Sequence, residues 1–210
     1  MNATLRFLQL GVALGGTVLA GEPTLTFVDP TAAEVAEIRQ AGEAASAIVA
    51  GRLITELTAA LEAGGPEKAV EVCHAKALPL TGQPLPDQPQ VTAVKRTSLR
   101  LRNPANAPDA AEQAALDHVA ALIAGGKSAP AILVQKVESA DAESEWRLYR
   151  SIGVQPACLA CHGSPSVQSP ALRTLLHERY PQDAATGYSV GDWRGFIRVS
   201  VQPSSPAPRS

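Results

Sequence analysis

Three residues near the C-terminal end, Cys158, Cys161 and His162, carry the strongest chemical signal in the sequence. They lie in Cys-Leu-Ala-Cys-His, and the spacing Cys-x-x-Cys-His is typical of covalent c-type haem attachment. Each of two thiols spaced in this way can form a thioether with a haem vinyl group, and the histidine that follows is then placed to ligate the iron. Because the motif occurs once, we expect one haem c attached through Cys158 and Cys161, with His162 as the proximal ligand.

Two other interpretations of the cysteine pair are a redox-active dithiol and half of a zinc site. Redox Cys-x-x-Cys pairs usually begin a helix after a strand in a βαβ unit, whereas this pair lies between Pro156 and Gly163 in a predicted loop. Zinc would need a second pair of ligands at a matching spacing. Haem attachment is therefore favoured, and a thiol-disulfide oxidoreductase without haem is the alternative.

The first twenty residues resemble an export signal. Arg6 supplies a positive start, residues 7–20 carry no charge, and Val18-Leu19-Ala20 resembles a cleavage site for signal peptidase. The uncharged stretch of about 14 residues is shorter than the roughly 20 that a membrane-spanning helix needs. We predict that residues 1–20 are a cleaved signal peptide and that the protein is periplasmic. No later segment is expected to span or insert stably into a membrane.

Composition predicts a single domain after this segment. The formal net charge of the 210-residue chain is −2, which is too small to indicate nucleic acid as a partner. No internal repeat or low-complexity block divides residues 21–202, and residues 203–210 read as a disordered tail. Alanine-rich helix faces, such as residues 41–45, are compatible with a homodimer and equally with burial inside one chain.

The composition of the chain reduces the number of candidates for the second axial ligand. Met1 is the only methionine and is lost with the signal peptide, so histidine/methionine ligation is excluded. An open site is one possibility, and the remaining candidate side chains are Cys73, His74, His118 and His177. We expect His118 to pack on its helix and His177 to lie at the surface.

Cys73 needs an explanation because an unpaired thiol in an oxidising compartment is prone to oxidation unless it is buried or bound to a metal. It shares a helix face with Val70 and Ala77, so it is either a small buried hydrophobe or a thiolate ligand of ferric iron. His74 lies one position further round the same helix. Periodicity does not separate the two residues.

Helical spacing and turn residues indicate two helices in the first half of the chain. One begins after Asp29-Pro30-Thr31 and ends at Gly64-Gly65, and the next begins at Pro66 and carries Cys73. The stretch from Pro79 to Pro89 contains four prolines and is predicted to be a loop covering one side of the haem.

The second half alternates between strand and helix patterns. Residues 96–102 alternate Arg or Ser with Thr or Leu, which predicts a strand with a basic face. The further predicted elements are a turn at 103–108, a helix from Asp109 to Ala124, strands at 131–138 and 145–152 joined as a hairpin, a short helix at 170–179 and a last strand at 195–201. This order predicts an α+β fold, with an antiparallel sheet flanked by helices and a long N-terminal helix.

A family resemblance rests on five segments that occur in order: Ala69–Cys73, Arg96–Asp109, Cys158–Gly163, Tyr180–Tyr188 and Gly191–Gly195. Through them the chain resembles the Tll-type DUF3365 family of periplasmic haem c proteins. Its most specific mark is Arg-Asn-Pro-Ala-Asn at residues 102–106. The resemblance implies a PAS-like sheet that holds one c-type haem, with His162 on one side of the iron and Cys73 on the other.

Arg96, Arg100 and Arg102 are the candidates to bind the haem propionates. A guanidinium group binds a carboxylate through two parallel hydrogen bonds in a fixed geometry. The alternative is a solvated strand face, and the sequence does not choose among the three residues.

Two functions follow from histidine/cysteine ligation. A thiolate ligand stabilises ferric iron and implies a low reduction potential. No set of acid, base and nucleophile indicates an enzyme. The first hypothesis is a redox or gas sensor, in which reduction releases Cys73 and a signalling receiver protein detects the change. The alternative is a low-potential electron-transfer cytochrome that serves a redox partner.

Overall fold

A computed structural model describes residues 22–139 and 142–203. The predicted signal peptide and most of the predicted tail lie outside these ranges. An antiparallel sheet forms the centre of the described fold, with its strands in the order β1-β3-β4-β5-β2. The strands are β1 (Thr24–Val28), β2 (Val91–Thr97), β3 (Ile132–Ser139), β4 (Ala142–Gly153) and β5 (Trp193–Val201).

Helices cover both faces of the sheet. They are α1 (Ala36–Thr81), α2 (Ala110–Ala124), the single turn α3 (Leu159–His162) and α4 (Pro170–Arg179). The α+β fold with a long N-terminal helix is therefore confirmed. The likeness to a PAS sheet stays a prediction.

Alternation along the strands builds one apolar core on each face of the sheet. Beneath α1, Ile38 and Ala45 pack with Leu148 and Val199. On the opposite face, Leu116 and Val119 of α2 pack with buried side chains from three strands, which are Leu133, Tyr149 and Phe196. Each face is thus closed by one helix, and the ends of the sheet remain free to carry other groups.

α1 is interrupted as the sequence predicts. Gly64 and Gly65 have non-helical dihedral angles, with φ of +68° at Gly65, and they divide the helix into residues 36–63 and 66–81. Lys76 Nζ lies 2.8 Å from Glu56 Oε2, although twenty residues of straight helix would separate them by about 30 Å. The second half therefore folds back along the first and brings Cys73 towards the sheet.

One helical stretch satisfies the length and hydropathy expected of a membrane span. It covers Ala33–Thr81 and contains an 18-residue window of mean hydropathy 1.4, of which 22% is buried. The expectation that no later segment is long and apolar enough is therefore wrong by this criterion. A core helix of a soluble protein meets the same criterion, and α1 packs against β4, β5 and β2.

The predicted strand at 96–102 is wrong beyond its first two residues, because β2 ends at Thr97. Ser98 Oγ donates to Arg194 O at 2.7 Å and accepts from Arg100 N at 3.1 Å. These side-chain bonds give the backbone an alternative to the strand ladder. The chain therefore leaves the sheet, and the three arginines do not share one strand face.

The predicted loop from Pro79 begins too early, because α1 continues to Thr81. Proline removes one donor from a helix, but neighbouring carbonyls are satisfied locally. Thr81 Oγ1 donates to Ala77 O at 2.7 Å, and Gly82 N donates to Leu78 O at 3.0 Å. The other predicted helices and strands are confirmed, with ends that differ by up to four residues.

Candidate haem site

The attachment motif lies between two small apolar clusters beyond the end of the sheet. Cys161 packs against the cluster formed by Val70 of α1 with Leu172, Leu176 and Tyr180. Cys158 packs against the cluster of Val154, Ala185 and Tyr188. All three cysteines of the chain are free thiols. The two thiols of the motif are therefore unpaired and half-buried, and each contacts a different cluster.

Backbone hydrogen bonds fix the motif to the segment that precedes β5. Gly187 N donates to Gly163 O at 2.8 Å, and Tyr188 N donates to His162 O at 2.9 Å. Gly187 has φ of +70°, which a side chain rarely adopts. At Gly163 a Cβ would lie 2.6 Å from Leu159 O. Gly187 is thus needed for its backbone conformation, and Gly163 because a side chain there would clash with α3.

The His162 imidazole has the protonation that a metal ligand requires. Its Nδ1 lies 2.7 Å from Ala185 O, so Nδ1 carries the proton and donates. Burial, together with the charges of Arg102, Arg194 and Arg96, lowers the pKa of His162 to about 3. The ring is therefore neutral at physiological pH, and its Nε2 has a free lone pair. A carbonyl acceptor at Nδ1 commonly fixes the tautomer and orientation of histidine ligands in metalloproteins.

Arg102 and Arg100 are already bound to protein acceptors. Arg102 Nε lies 2.9 Å from Asp183 Oδ2, and its Nη2 donates to Cys161 O at 2.6 Å. Arg100 Nε donates to Ala184 O at 3.1 Å, and its guanidinium carbon lies 4.2 Å from the centre of the Tyr188 ring. These two arginines tie the motif and the 183–188 segment together.

Arg96 has a different environment. Its Nε is buried and has no hydrogen-bond partner. Burial lowers the pKa of this guanidinium group, and the nearby Cys73 and Tyr180 oppose that effect. An unpartnered buried donor is costly unless a ligand or water satisfies it.

The structure separates Cys73 from His74. Cys73 is half-buried, and burial raises the pKa of its thiol against the charges of Arg96 and Arg102. Cys73 in turn raises the pKa of the Cys161 thiol through the electrostatic interaction between the two groups. His74 is exposed, and its ring centre lies 5.2 Å from that of Tyr180 in an edge-on contact. The half-buried thiol thus shares its environment with the attachment motif.

Comparison with known proteins identifies the family of this chain. The Tll0287-like family model matches residues 36–202. The chain belongs to the Tll0287-like family. Among solved structures it is similar to the crystal structure of the cyanobacterial heme-protein Tll0287, with 23% sequence identity, a TM-score of 0.46, and coverage of 83% of this chain and 98% of that one. No curated protein matches.

Family membership confirms the resemblance found from the five sequence segments, all of which lie inside the matched range. In this Tll0287-like chain the other two histidines lie away from the motif's clusters. His118 stacks on Phe27 with ring centres 4.4 Å apart, and His177 is exposed on α4. Among residues 22–139 and 142–203, no three His, Cys, Asp or Glu side chains form a group that could hold a bare metal ion.

Three residues of the site were missed by sequence reasoning. Asp183 pairs with Arg102, Ala185 O accepts from His162, and Arg194 Nη1 donates to Ser98 Oγ at 2.5 Å. The resembling segments include all three, but their spacing gives them no distinct chemistry. Their roles depend on contacts between residues far apart in the chain.

Charge gives a further test of what the Tll0287-like site could hold. The charges of Arg96, Arg102 and Arg194 all lower the pKa of the His162 imidazole. Of the three, only Arg102 forms an ion pair with a carboxylate of the described residues, that of Asp183. Two guanidinium charges are thus left without a carboxylate partner beside two free thiols and a neutral histidine. These residues fit a dianionic group that offers sites for two thioethers and one imidazole.

Proposed function

We propose that this protein is a periplasmic mono-haem c-type protein with His162 and Cys73 as axial ligands, which acts as a redox or gas sensor and is not an enzyme. The observation that carries the proposal is the convergence of the neutral His162 ring, the free thiols of Cys158 and Cys161, and two arginines, Arg96 and Arg194, that have no carboxylate partner among the described residues. A haem c has two vinyl groups, one iron and two propionates, and so matches each part of this set. Membership of the Tll0287-like family over residues 36–202 agrees with the resemblance to haem c proteins.

A bound haem iron would supply a one-electron couple with two axial positions. His162 would fill one position through Nε2, because Nδ1 is committed to Ala185 O at 2.7 Å. This hydrogen bond fixes the ring's orientation and tautomer, so we expect His162 to remain bound.

Cys73 is the ligand that we expect to change. Burial raises the pKa of its thiol, so the free side chain is protonated and would have to give up this proton to solvent in order to hold iron. Arg96 and Arg102 favour the thiolate, and no hydrogen bond or disulfide of the described residues otherwise holds the sulfur. Cys73 can therefore leave without breaking another hydrogen bond of its side chain.

The position of Cys73 connects the site to the rest of the fold. Val70, one turn earlier on α1, packs against Leu172 and Leu176 of α4. The same helix continues through the Gly64-Gly65 turn to the half that packs on the sheet. Movement of Cys73 would thus be transmitted to an exposed helical surface, where a receiver protein could detect it.

A redox titration of the purified protein, followed by visible absorption with and without carbon monoxide, tests the proposal. We expect a six-coordinate ferric spectrum, loss of the thiolate features on reduction, and binding of carbon monoxide to the reduced form. A spectrum that stays six-coordinate in both states and is unaffected by carbon monoxide would contradict the sensor and indicate the low-potential electron carrier.

A further inference from the structure

Arg96 and Arg194 lie at the same end of the sheet, on neighbouring strands. β2 and β5 are antiparallel, and Arg96 pairs with Ile197, which is three residues along β5 from Arg194. Each guanidinium charge lowers the pKa of His162, and the charge of Arg96 also lowers the pKa of Arg194. Both guanidinium groups therefore lie near the His162 ring of the attachment motif.

Both arginines carry a charge that the described residues do not neutralise. Neither forms an ion pair with a carboxylate of residues 22–139 or 142–203, and burial lowers the pKa of each. Arg96 Nε is buried without a partner, and Arg194 Nη1 donates to the neutral Ser98 Oγ. Desolvated positive charges without a counter-charge are unfavourable, and binding of an anion would offset this cost.

Arg194 is held in place by contacts that an anion would not disturb. Its backbone carbonyl accepts from Ser98 Oγ at 2.7 Å, and its guanidinium carbon lies 5.4 Å from the centre of the Tyr188 ring. The Tyr188 ring also meets His162 edge-on at 6.3 Å between ring centres. The Arg194 guanidinium group and the His162 ring thus lie against the same Tyr188 ring.

We infer that Arg96 and Arg194 together form the carboxylate-binding cradle for the haem propionates, whereas Arg100 and Arg102 hold the loop around the attachment motif. This assignment rests on the proposed haem and adds Arg194, which sequence reasoning did not single out. It also separates the three arginines of residues 96–102, because Arg102 is neutralised by Asp183 and Arg100 is bound to two backbone carbonyls.

Resonance Raman spectroscopy of the haem-loaded protein tests the cradle, because propionate bending bands respond to hydrogen bonds at the carboxylates. The variants are Arg96→Gln and Arg194→Gln, with Arg179→Gln as the control. Arg179 is exposed at the end of α4, so this control removes one positive charge away from the site. We expect the propionate bands to shift in the first two variants and to stay at the wild-type position in the control.

Lysine variants separate hydrogen bonding from charge. Arg96→Lys and Arg194→Lys keep the positive charge but cannot form the two parallel hydrogen bonds of a guanidinium group. We expect the bands to shift in these variants while the reduction potential stays near that of the wild type. In the glutamine variants the potential should fall, because loss of a nearby positive charge favours ferric iron. The lysine variants also serve if a glutamine variant fails to load haem.

Unmoved propionate bands in all four variants at Arg96 and Arg194, in protein that carries haem, would overturn the cradle and leave the proposed function intact. A band that moves as far in Arg179→Gln would overturn it as well. A wild-type protein without haem would overturn the proposed function, and the cradle with it.

Discussion

Cys73 and His74 show how much one position on a helix changes the chemistry of a side chain. Successive residues of an α-helix point about 100° apart. Cys73 is accordingly half-buried, and the charges of Arg96 and Arg102 favour its thiolate form. His74 is exposed and contacts Tyr180. Helical periodicity could not choose between them, because the choice depends on where the second half of α1 packs.

Alanine variants of these two neighbours test the assignment of the axial ligand. We expect Cys73→Ala to abolish the low-spin thiolate signal in the electron paramagnetic resonance spectrum of the ferric protein. His74→Ala should leave that signal unchanged, since its side chain lies outside the site. The opposite pattern, with the signal lost only in His74→Ala, would contradict thiolate ligation by Cys73.

The attachment motif could be predicted from sequence because its chemistry depends on three residues within five positions. The partners of the motif could not. Ser98 and Arg194 are 96 positions apart, and Arg102 and Asp183 are 81 apart. Contacts between residues so far apart in the chain form only when the sheet brings the end of β2 next to the start of β5. No local sequence pattern predicts them.

At the scale of elements, a buried carboxylate fixes α2 to the sheet. The Glu112 side chain is 0% exposed and accepts from Lys95 Nζ at 2.6 Å and Arg198 Nε at 2.9 Å. Its Oε2 also accepts from Asp109 N, while Asp109 caps the helix at Glu112 N, which completes a capping box. One residue thus joins the start of α2 to strands β2 and β5.

Replacing this carboxylate should destabilise the fold strongly. Glu112→Gln leaves two partly buried cations without a counter-charge, and we expect the free energy of unfolding to fall by about 3 to 5 kcal/mol. Glu145→Gln is the matched control, because Glu145 pairs with Arg147 at a more exposed position and should cost about 1 kcal/mol or less. Urea unfolding measures both, and equal losses would contradict this role of Glu112.

Two glycines of α1 have opposite expected effects. Gly65 adopts φ of +68° and ψ of −162° in the turn of the helix pair, so Gly65→Ala should destabilise the protein by about 1 to 3 kcal/mol. Gly51 lies in a helix interior, and no atom lies within 4 Å of the point that an added Cβ would occupy, so Gly51→Ala should stabilise it by about 0.5 to 1 kcal/mol. The midpoint temperatures of thermal unfolding of the two variants should therefore change in opposite directions. A change in the same direction for both would contradict the geometry of the turn.

Strong local signals predicted most of the elements. Gly64-Gly65 predicted the break in α1, and Asp109 predicted the start of α2. β1 was missed because it is a short edge strand with exposed residues at three of five positions. The strand at 96–102 was misplaced because alternation alone does not reveal that Ser98 turns the chain out of the sheet.

At the scale of the whole molecule, the sheet positions the site through its end. α1 and α2 cover its two faces. The motif, the 183–188 segment and the two arginines without a carboxylate partner among the described residues lie where β2 ends and β5 begins. The second half of α1 returns from the Gly64-Gly65 turn to add Cys73. The α+β class could be predicted from the order of elements, but this convergence required the strand order.

The mass of the intact protein, purified from cells that mature c-type cytochromes, tests the central claim most directly. We predict a chain that begins at Gly21 and carries the added mass of one haem after acid-acetone extraction. The double variant Cys158→Ala, Cys161→Ala should have the mass of the polypeptide alone. A wild-type chain that also has only the polypeptide mass would contradict covalent haem attachment.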